Sequence, residues 1–285
     1  MYYGAIEAGG TKFVCAVGNK DGEIIDKTKI STQSPEETIN NVINFFKNYP
    51  LKGLGIGCFG PVQIDKSQGN YGEILSTPKR KWRNFNIYKK FKNYYDIPVY
   101  LDTDVNVAAL GEYRWGAAKE NNSCLYVTVG TGIGAGFVKD GQTLNGVNHP
   151  EMGHIRVKRS KEDDFQGVCP YHSDCLEGLA SGPAIEKRYG VKASELSHRD
   201  DVWELESYYL AQAVMNYTLI LSPHKIILGG GVMKQSHVIS KIKGKLEKMV
   251  NGYVKIPPEF IVKPKLNDEQ GIRGALALAL QEKGE

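Results

Sequence analysis

The sequence Asp102-Thr103-Asp104-Val105-Asn106-Val107-Ala108-Ala109-Leu110-Gly111-Glu112 is the stretch around which the rest of the chain is organised. It follows a short apolar strand, Val99-Tyr100-Leu101, and continues into an Ala/Leu-rich helix. A carboxylate at such a strand-to-helix corner lies at the carboxyl end of a sheet, where open α/β folds bind their ligands. Asp104 is therefore a candidate catalytic base. The alternative is that Asp104 only caps the helix, because Asp is a favoured residue at that position.

Two loops of glycine and threonine flank this stretch, and each follows a predicted strand. They are Gly9-Gly10-Thr11-Lys12 and Gly130-Thr131-Gly132-Ile133-Gly134. Glycines let backbone amides approach a phosphate closely, while threonine adds a hydroxyl and Lys12 a positive charge. Either loop alone could be an ordinary hairpin turn. Together they favour Asp104 as a base between two phosphate-binding halves. The repeated strand–loop–strand pattern indicates that the two halves arose by duplication.

Further elements follow from local patterns. Three strands are expected within residues 4–30, and Ser34-Pro35-Glu36-Glu37 predicts the start of a helix that runs to about Tyr49. A buried strand, Leu51–Cys58, leads into a Gly60-Pro61 loop that either faces a ligand or is a plain turn. A later buried strand, Ile226–Leu228, ends in the three glycines Gly229–Gly231, where a flat base or ribose can approach the backbone. Residues 271–281 predict an Ala/Leu-rich helix.

Composition places the chain among ordinary soluble globular proteins. It has 285 residues, of which 41% are hydrophobic and 24% charged, and this length suits one large domain or two of usual size. The sequence contains no run of 18 apolar residues, so it predicts no membrane span. Residues 1–7 lack the features of a signal peptide, and we therefore expect a cytoplasmic protein. The net charge of +4 permits anionic ligands without demanding nucleic acid.

Residues 79–95 combine basic and aromatic side chains, a pattern that can bind nucleic acid. However, Ile87, Phe91 and Tyr94 recur at helical spacing, which places the intervening lysines on a solvated helix face. We therefore expect no nucleic-acid partner.

A compact group of cysteines and histidines has the spacing of a metal site: His154, Cys169, His172 and Cys175. Two thiolates and two imidazoles suit tetrahedral Zn²⁺, and four protein ligands leave no open position, so the ion would be structural. The alternatives are a reactive cysteine pair or unrelated loop residues. The other cysteines lie in apolar runs and are expected to be buried. Glu151 and Glu177 flank the group, so zinc would hold these carboxylates in place for recognition of sugar hydroxyls.

Together these motifs resemble the ROK family (repressor, open reading frame, kinase), specifically its bacterial fructokinase branch. The resemblance extends over nearly the whole chain and rests on these segments, in this order: Ile6–Lys12, Thr103–Asn106 with Ala108–Glu112, Gly130–Gly134, Glu151–His154, Cys175–Pro183 and Leu228–Gly231.

The resemblance implies an α/β, actin-like fold of two domains with a duplicated core and an active site in the cleft. We expect a small N-terminal domain, residues 1–115, completed by a C-terminal helix at 270–285. Residues 116–269 would form a larger domain with the zinc loop. A homodimer is the family expectation.

The same resemblance implies an ATP-dependent hexose kinase, with D-fructose converted to fructose 6-phosphate. Asp104 would be the base and Mg²⁺ would bridge the phosphates, with His154 shared between the zinc and the wall of the site. The expected sugar contacts are Asn106, Glu151, Glu177 and Gly60. The expected ATP contacts are Gly10, Thr11, Lys12, Thr131, Gly132, Pro183, Gly229, Gly230, Gly231, Val232 and Met233.

Two departures from the family pattern stand out. Glu7 replaces the usual Asp of the first motif, although one extra methylene still allows it to reach a metal-bound water. His172 replaces a cysteine of the usual zinc motif and preserves the number of ligands, and this variant resembles the fructokinase branch.

Other activities stay open at this level. Glucose, mannose or N-acetylated hexosamines are alternative substrates, because residue chemistry alone does not select fructose. A sugar-responsive repressor is a rival from another class. Since the first motif begins at Ile6, we expect no preceding DNA-binding domain. A zinc-dependent binding module without catalysis would leave Asp104 and both loops unexplained.

Overall fold

The chain folds as two five-stranded sheets with helices, which confirms the expected α/β class; the computed structural model describes residues 1–235 and 237–281. The strands are β1 (Tyr2–Ala8), β2 (Lys12–Gly18), β3 (Ile24–Ser31), β4 (Leu51–Cys58), β5 (Val99–Thr103), β6 (Ser123–Val129), β7 (Ile133–Lys139), β8 (Gln142–Thr143), β9 (Lys225–Gly229) and β10 (Ile261–Val262). The helices are α1 (Pro35–Phe46), α2 (Ile87–Tyr94), α3 (Asp104–Trp115), α4 (Leu176–Ala180), α5 (Gly182–Tyr189), α6 (Asp200–Leu221), α7 (Val238–Val250) and α8 (Gln270–Ala279).

The first sheet has the strand order β3-β2-β1-β4-β5. β3 alternates between half-buried and exposed residues, as expected of an edge strand, whereas β4 is buried almost throughout. β1, β4 and β5 are parallel, and their last residues, Ala8, Cys58 and Thr103, lie opposite one another. The segments that follow these three strands therefore leave the sheet along one edge.

The second sheet has the order β10-β9-β6-β7-β8, with β9 parallel to both of its neighbours. Thr128 near the end of β6 lies opposite Gly229 at the end of β9. The glycine-containing segments after these two strands thus also start from a common edge.

Helix α1 begins where the sequence predicts. The Ser34 hydroxyl accepts a hydrogen bond from the Glu37 backbone, and the Glu37 carboxylate accepts one from the Ser34 backbone, which completes a capping box. The helix ends at Phe46 rather than near Tyr49, and the chain closes with a turn in which the Tyr49 amide donates to the Phe46 carbonyl.

Helix α2 forms the second part of the basic and aromatic segment. Ile87 and Phe91 are buried while Lys89 and Lys90 are exposed, so the lysines occupy a solvated face as interpreted from the sequence. The expectation that Tyr94 belongs to the buried face is wrong. Tyr94 is the last residue of the helix, is 56% exposed, and packs edge-on against Tyr95 instead.

Helices α3 and α8 pack with their backbones in close approach. A Cβ added at Gly274 would lie 1.5 Å from the Val107 carbonyl oxygen, and one added at Gly111 would lie 2.4 Å from the Gln270 carbonyl oxygen. Only glycine fits at these two positions. The buried Glu112 carboxylate fixes the end of α3 by accepting the backbone amides of Ala117, Lys265 and Leu266.

The chain divides into two compact units. The first contains residues 1–120, 136–150 and 265–285, and the second contains residues 121–135 and 151–264. This division differs from the expected one of 1–115 with 270–285 against 116–269, and the first unit is the larger of the two. Residues 136–150 belong to the first unit because they pack on α3, where a Cβ at Gly136 would lie 2.3 Å from the Val105 carbonyl oxygen.

Among the described residues, no helix has both the length and the apolar character needed to cross a membrane.

The second unit buries a polar cluster at the side of α6. Asp163 accepts hydrogen bonds from Tyr209 at 2.6 Å and from Arg188 at 3.1 Å. Glu206 is fully buried nearby on α6, and among the described residues neither of its carboxyl oxygens has a hydrogen-bond partner. Burial raises the pKa of Glu206 well above its ordinary value of 4.5, and the Arg188 charge opposes this only in part.

We expect Glu206→Gln to make the protein less sensitive to high pH. A carboxyl whose pKa is higher in the folded than in the unfolded chain contributes stability below the unfolded value, and that contribution is lost as the pH rises through the folded value. The melting temperature of the wild type should therefore fall relative to that of the variant as the pH rises above about 4.5. Thermal melts from acid to alkaline pH measure this difference, and parallel curves for the two proteins would contradict it.

Candidate active site

Asp104 is the first residue of α3, and Thr103 caps the helix. The Thr103 hydroxyl accepts the Asn106 amide at 3.2 Å, so the alternative that Asp104 serves as the cap is wrong. Asp104 is exposed, whereas residues 101–103 and 105–112 are all buried. Its carboxylate accepts the amide of Val105 at 2.9 Å. Asp104 is thus the one exposed residue of the buried stretch 101–112, and its carboxylate lies at the edge of the sheet.

Glu7 lies on β1 at the same edge, one residue before the strand ends. Its carboxylate packs against the first turn of α8, where a Cβ at Gly271 would lie 2.5 Å from Oε1, so only glycine leaves room for it. Burial, and next the negative charge of Asp104, raise the pKa of Glu7 to about 7. Oxygen ligands such as the Glu7 carboxylate are suited to holding a divalent cation such as Mg²⁺.

The Gly9–Lys12 loop joins β1 to β2 beside these carboxylates. The Gly9 amide donates to the Lys12 carbonyl at 3.0 Å, and the Thr32 hydroxyl donates to the Gly9 carbonyl at 2.7 Å. Thr11 and Lys12 are exposed, and Gly10 is half-buried. The loop therefore has a fixed backbone and presents a hydroxyl and an ammonium group outward, as a phosphate site requires.

Sequence reasoning missed a further cation at this loop. The aliphatic chain of Lys79 lies against Gly10, with its Cε 3.6 Å from the position of an added Cβ. Lys79 also lines a cavity of about 470 Å³ together with Thr32, Arg80 and Trp82. No local pattern links Lys79 to the loop, because the contact arises only when the chain folds.

Two of the expected sugar contacts lie in the first unit. Gly60 is exposed just after β4, and the Phe59 amide before it donates to the Ala8 carbonyl at 2.9 Å, which places this turn beside the end of β1. Asn106 is fully buried on α3, so its side chain does not reach the protein surface.

Three loops of the second unit converge. The Gly182 amide donates to the Gly130 carbonyl at 2.7 Å, and a Cβ at Gly130 would lie 3.9 Å from the Gly231 amide nitrogen. Gly230 has a φ of +92°, which glycine adopts readily. These contacts bring together the expected ATP residues that follow β6 and β9 and those that begin α5.

The side chains in these loops differ in accessibility. Thr131 and Pro183 are exposed and Gly231 has open space beside it, whereas Val232 and Met233 are buried in the second unit. A ligand at these loops would therefore meet the glycine backbone rather than the side chains of Val232 and Met233.

The four expected metal ligands come together. One ligand atom from each of His154, Cys169, His172 and Cys175 lies within 4.8 Å of all the others. The His154 Nδ1 atom is 3.4 Å from the Cys175 sulfur and 3.6 Å from the Cys169 sulfur. Tetrahedral zinc, with Zn–N of about 2.0–2.1 Å and Zn–S of about 2.3 Å, places nitrogen and sulfur ligands about 3.6 Å apart. The donor set and its spacing fit a closed tetrahedral site.

His154 connects this cluster to a carboxylate. Its Nδ1 atom faces the sulfurs, while its Nε2 atom is 3.9 Å from Glu177 Oε1. Glu177 Oε2 accepts the Ile133 amide at 2.9 Å, and Gly132 leaves room for it. The second carboxylate, Glu151, is exposed and precedes a short turn closed by the His154 amide. A metal bound at the cluster would therefore orient Glu177 through the His154 ring.

Comparisons with known proteins show to which family the chain is similar. The model of the ROK family matches residues 3–282. A protein of Bacillus subtilis (strain 168) is 54% identical over 284 residues, which cover 98% of this chain and 95% of that protein. The fructokinase of Pediococcus pentosaceus is 44% identical, with 98% of each chain covered. The crystal structure of a ROK hexokinase from Thermus thermophilus superposes with a TM-score of 0.83 at 24% identity, covering 98% of each chain.

Proposed function

The chain belongs to the ROK family, and from this premise we propose that it is a fructokinase, which transfers the γ-phosphoryl group of ATP to D-fructose and forms fructose 6-phosphate. One observation carries the proposal: within the otherwise buried stretch 101–112, Asp104 presents an exposed carboxylate beside Glu7 and close to the Gly9–Lys12 loop. Its fructokinase relatives support fructose as the sugar.

Asp104 acts as the base in this reaction. Its carboxylate accepts the proton of the sugar hydroxyl as that oxygen attacks the γ-phosphorus. Phosphoryl transfer needs little covalent help from the protein, so alignment and charge neutralisation supply the rest. Gly10, Thr11 and Lys12 hold phosphate oxygens, and Glu7 would hold a Mg²⁺ ion that neutralises phosphate charge, which leaves the Asp104 carboxylate to accept the proton.

The family resemblance assigns the remaining ATP and sugar contacts. Thr131 and Gly132 bind phosphate, while Pro183 and the backbone of the segment Gly229–Met233 line the adenosine, with the side chains of Val232 and Met233 turned into the core. Glu151 and Glu177 accept hydrogen bonds from sugar hydroxyls, and Gly60 of the first unit lies against the sugar. Zinc at the four-residue cluster is structural, because its four protein ligands leave no position for substrate. A homodimer and a cytoplasmic location stay predictions from the sequence.

We expect Glu7 to set the pH dependence of the reaction. It must be charged to hold the cation, and its pKa of about 7 means that kcat/KM for Mg-ATP should rise between about pH 6 and pH 8. Glu7→Gln should remove this step and lower kcat/KM by about 10–100-fold. Glu7→Asp is the matched variant, because it keeps the charge and shortens the reach. A Glu7→Gln enzyme with the wild-type pH profile would contradict the role.

A panel of sugars tests the substrate. ADP release is measured with Mg-ATP and fructose, glucose, mannose or N-acetylglucosamine. We expect the highest kcat/KM with fructose. A higher kcat/KM with another hexose would support a sugar kinase but contradict fructose as its substrate. ATP and sugar binding without turnover would favour a non-catalytic sugar sensor instead.

A further inference from the structure

A buried polar network lies next to Asp104 and is not used by the reaction described above. At its centre is Asp102, which is 4% exposed at the end of β5. Its Oδ1 atom accepts the Asn106 side-chain amide at 2.7 Å, and its Oδ2 atom accepts the Thr143 hydroxyl at 2.6 Å. The network therefore links β5, the first turn of α3 and the segment at β8, all within the first unit.

The charge of Asp102 fixes the orientation of Asn106. The Asn106 Nδ2 atom donates one hydrogen to Asp102 and the other to Asn145 Oδ1 at 3.0 Å. Reversing the amide would place its carbonyl oxygen against the carboxylate, which is unfavourable. The Asn106 oxygen is buried and, among the described residues, has no hydrogen-bond partner. A buried oxygen without a partner costs free energy, and the two hydrogen bonds that Nδ2 donates in this orientation offset that cost.

The orientation of Asn145 follows from that of Asn106. Because Asn145 Oδ1 accepts from Asn106, its Nδ2 atom must point the other way. There it donates one hydrogen to the Thr143 hydroxyl oxygen at 3.3 Å, and that hydroxyl has already given its own hydrogen to Asp102. Asn145 itself is exposed. The second Nδ2 hydrogen is thus available at the surface, in a direction that its two partners, Asn106 and Thr143, determine.

We propose that Asn145 is a sugar-binding residue, whose side-chain amide donates to a hydroxyl oxygen of the hexose next to the hydroxyl that Asp104 deprotonates. Asp102, Asn106 and Thr143 are positioning residues that hold the donor. Asp104 lies between Asp102 and Asn106 in the chain, so the same turn of α3 carries both the base and the support of the donor. Buried Asn106 then acts on the sugar through Asn145 rather than by touching it. This inference rests on the proposed function of the site.

The test separates a donor from a mere anchor of the segment. Asn145→Ala removes both roles, whereas Asn145→Asp keeps an oxygen for Asn106 and loses the donor. We expect both variants to lower kcat/KM for fructose by about tenfold, mainly through KM, with KM for ATP and the melting temperature unchanged. Thr143→Val should change the same parameter less. Asn148→Ala, in the same exposed segment, is the matched control and should behave as wild type.

Two results would overturn the inference. One is an Asn145→Ala enzyme with the wild-type KM for fructose. The other is an Asn145→Asp enzyme that equals wild type, which would show that Asn145 only anchors the segment. If the wild type phosphorylates no sugar, the proposed function itself fails. Titration calorimetry of wild type and Asn145→Ala with fructose then still tests the contact, and equal affinities would refute it.

Discussion

Asp104→Asn is expected to lower kcat for fructose phosphorylation by about 10²–10⁴-fold, because a positioned base contributes a factor of that size. Asparagine has nearly the same shape as aspartate and cannot accept the hydroxyl proton. Thr103, rather than Asp104, caps α3, so the helix should keep its start and the melting temperature should stay close to that of the wild type.

Asp96→Asn provides the matched control. Asp96 is exposed and lies shortly before the amino end of β5, whereas Asp104 follows the carboxyl end of the same strand. It should retain wild-type turnover. Steady-state kinetics of the three proteins, with ATP binding measured separately, decide the matter. Turnover near the wild-type value in Asp104→Asn would refute the assignment of the base.

Loss of the metal is expected to destabilise the protein strongly. Structural zinc contributes its binding free energy to folding. Losing even a few kcal/mol should lower the melting temperature by about 10 °C, since a domain of this size loses roughly 2–4 °C per kcal/mol. Addition of a chelator should produce this change in the wild type, and metal analysis should find zinc in the untreated protein.

Two cysteine variants make the chelation experiment specific. Cys169→Ala removes a ligand, so its melting temperature should be low and insensitive to the chelator. Cys15→Ala removes a buried cysteine that lies in the core of the first unit and outside the cluster, so the chelator should still lower its melting temperature. A wild-type protein that melts at the same temperature with and without the chelator would argue against a structural metal.

Much of the site could be predicted because its determinants are local. The strand–Asp–helix stretch at Asp104, the capping box at Ser34 and the spacing of the four metal ligands each lie within a short segment. Short segments fix strand ends, helix starts and loop ligands through backbone geometry. The shared edge of β1, β4 and β5 then follows from parallel pairing.

The remainder depends on contacts between distant parts of the chain. The expected boundary after residue 115 does not anticipate that residues 136–150 group with the first unit, since nothing local in that segment shows that Asn145 meets Asn106. The raised pKa of Glu7 depends first on burial beside Gly271, far along the chain, and then on the charge of Asp104. The cap was ambiguous because Thr103 and Asp104 are adjacent and both residue types cap helices.

The most direct test of the central claim is to follow the fate of the phosphoryl group. The protein is incubated with Mg-ATP and fructose, and ADP and the phosphorylated sugar are quantified together by phosphorus NMR. We expect fructose 6-phosphate and ADP in equal amounts, with neither formed by Asp104→Asn at a comparable rate. ADP without a phosphorylated sugar, or no turnover while ATP and fructose are both bound, would contradict an Asp104-dependent fructokinase.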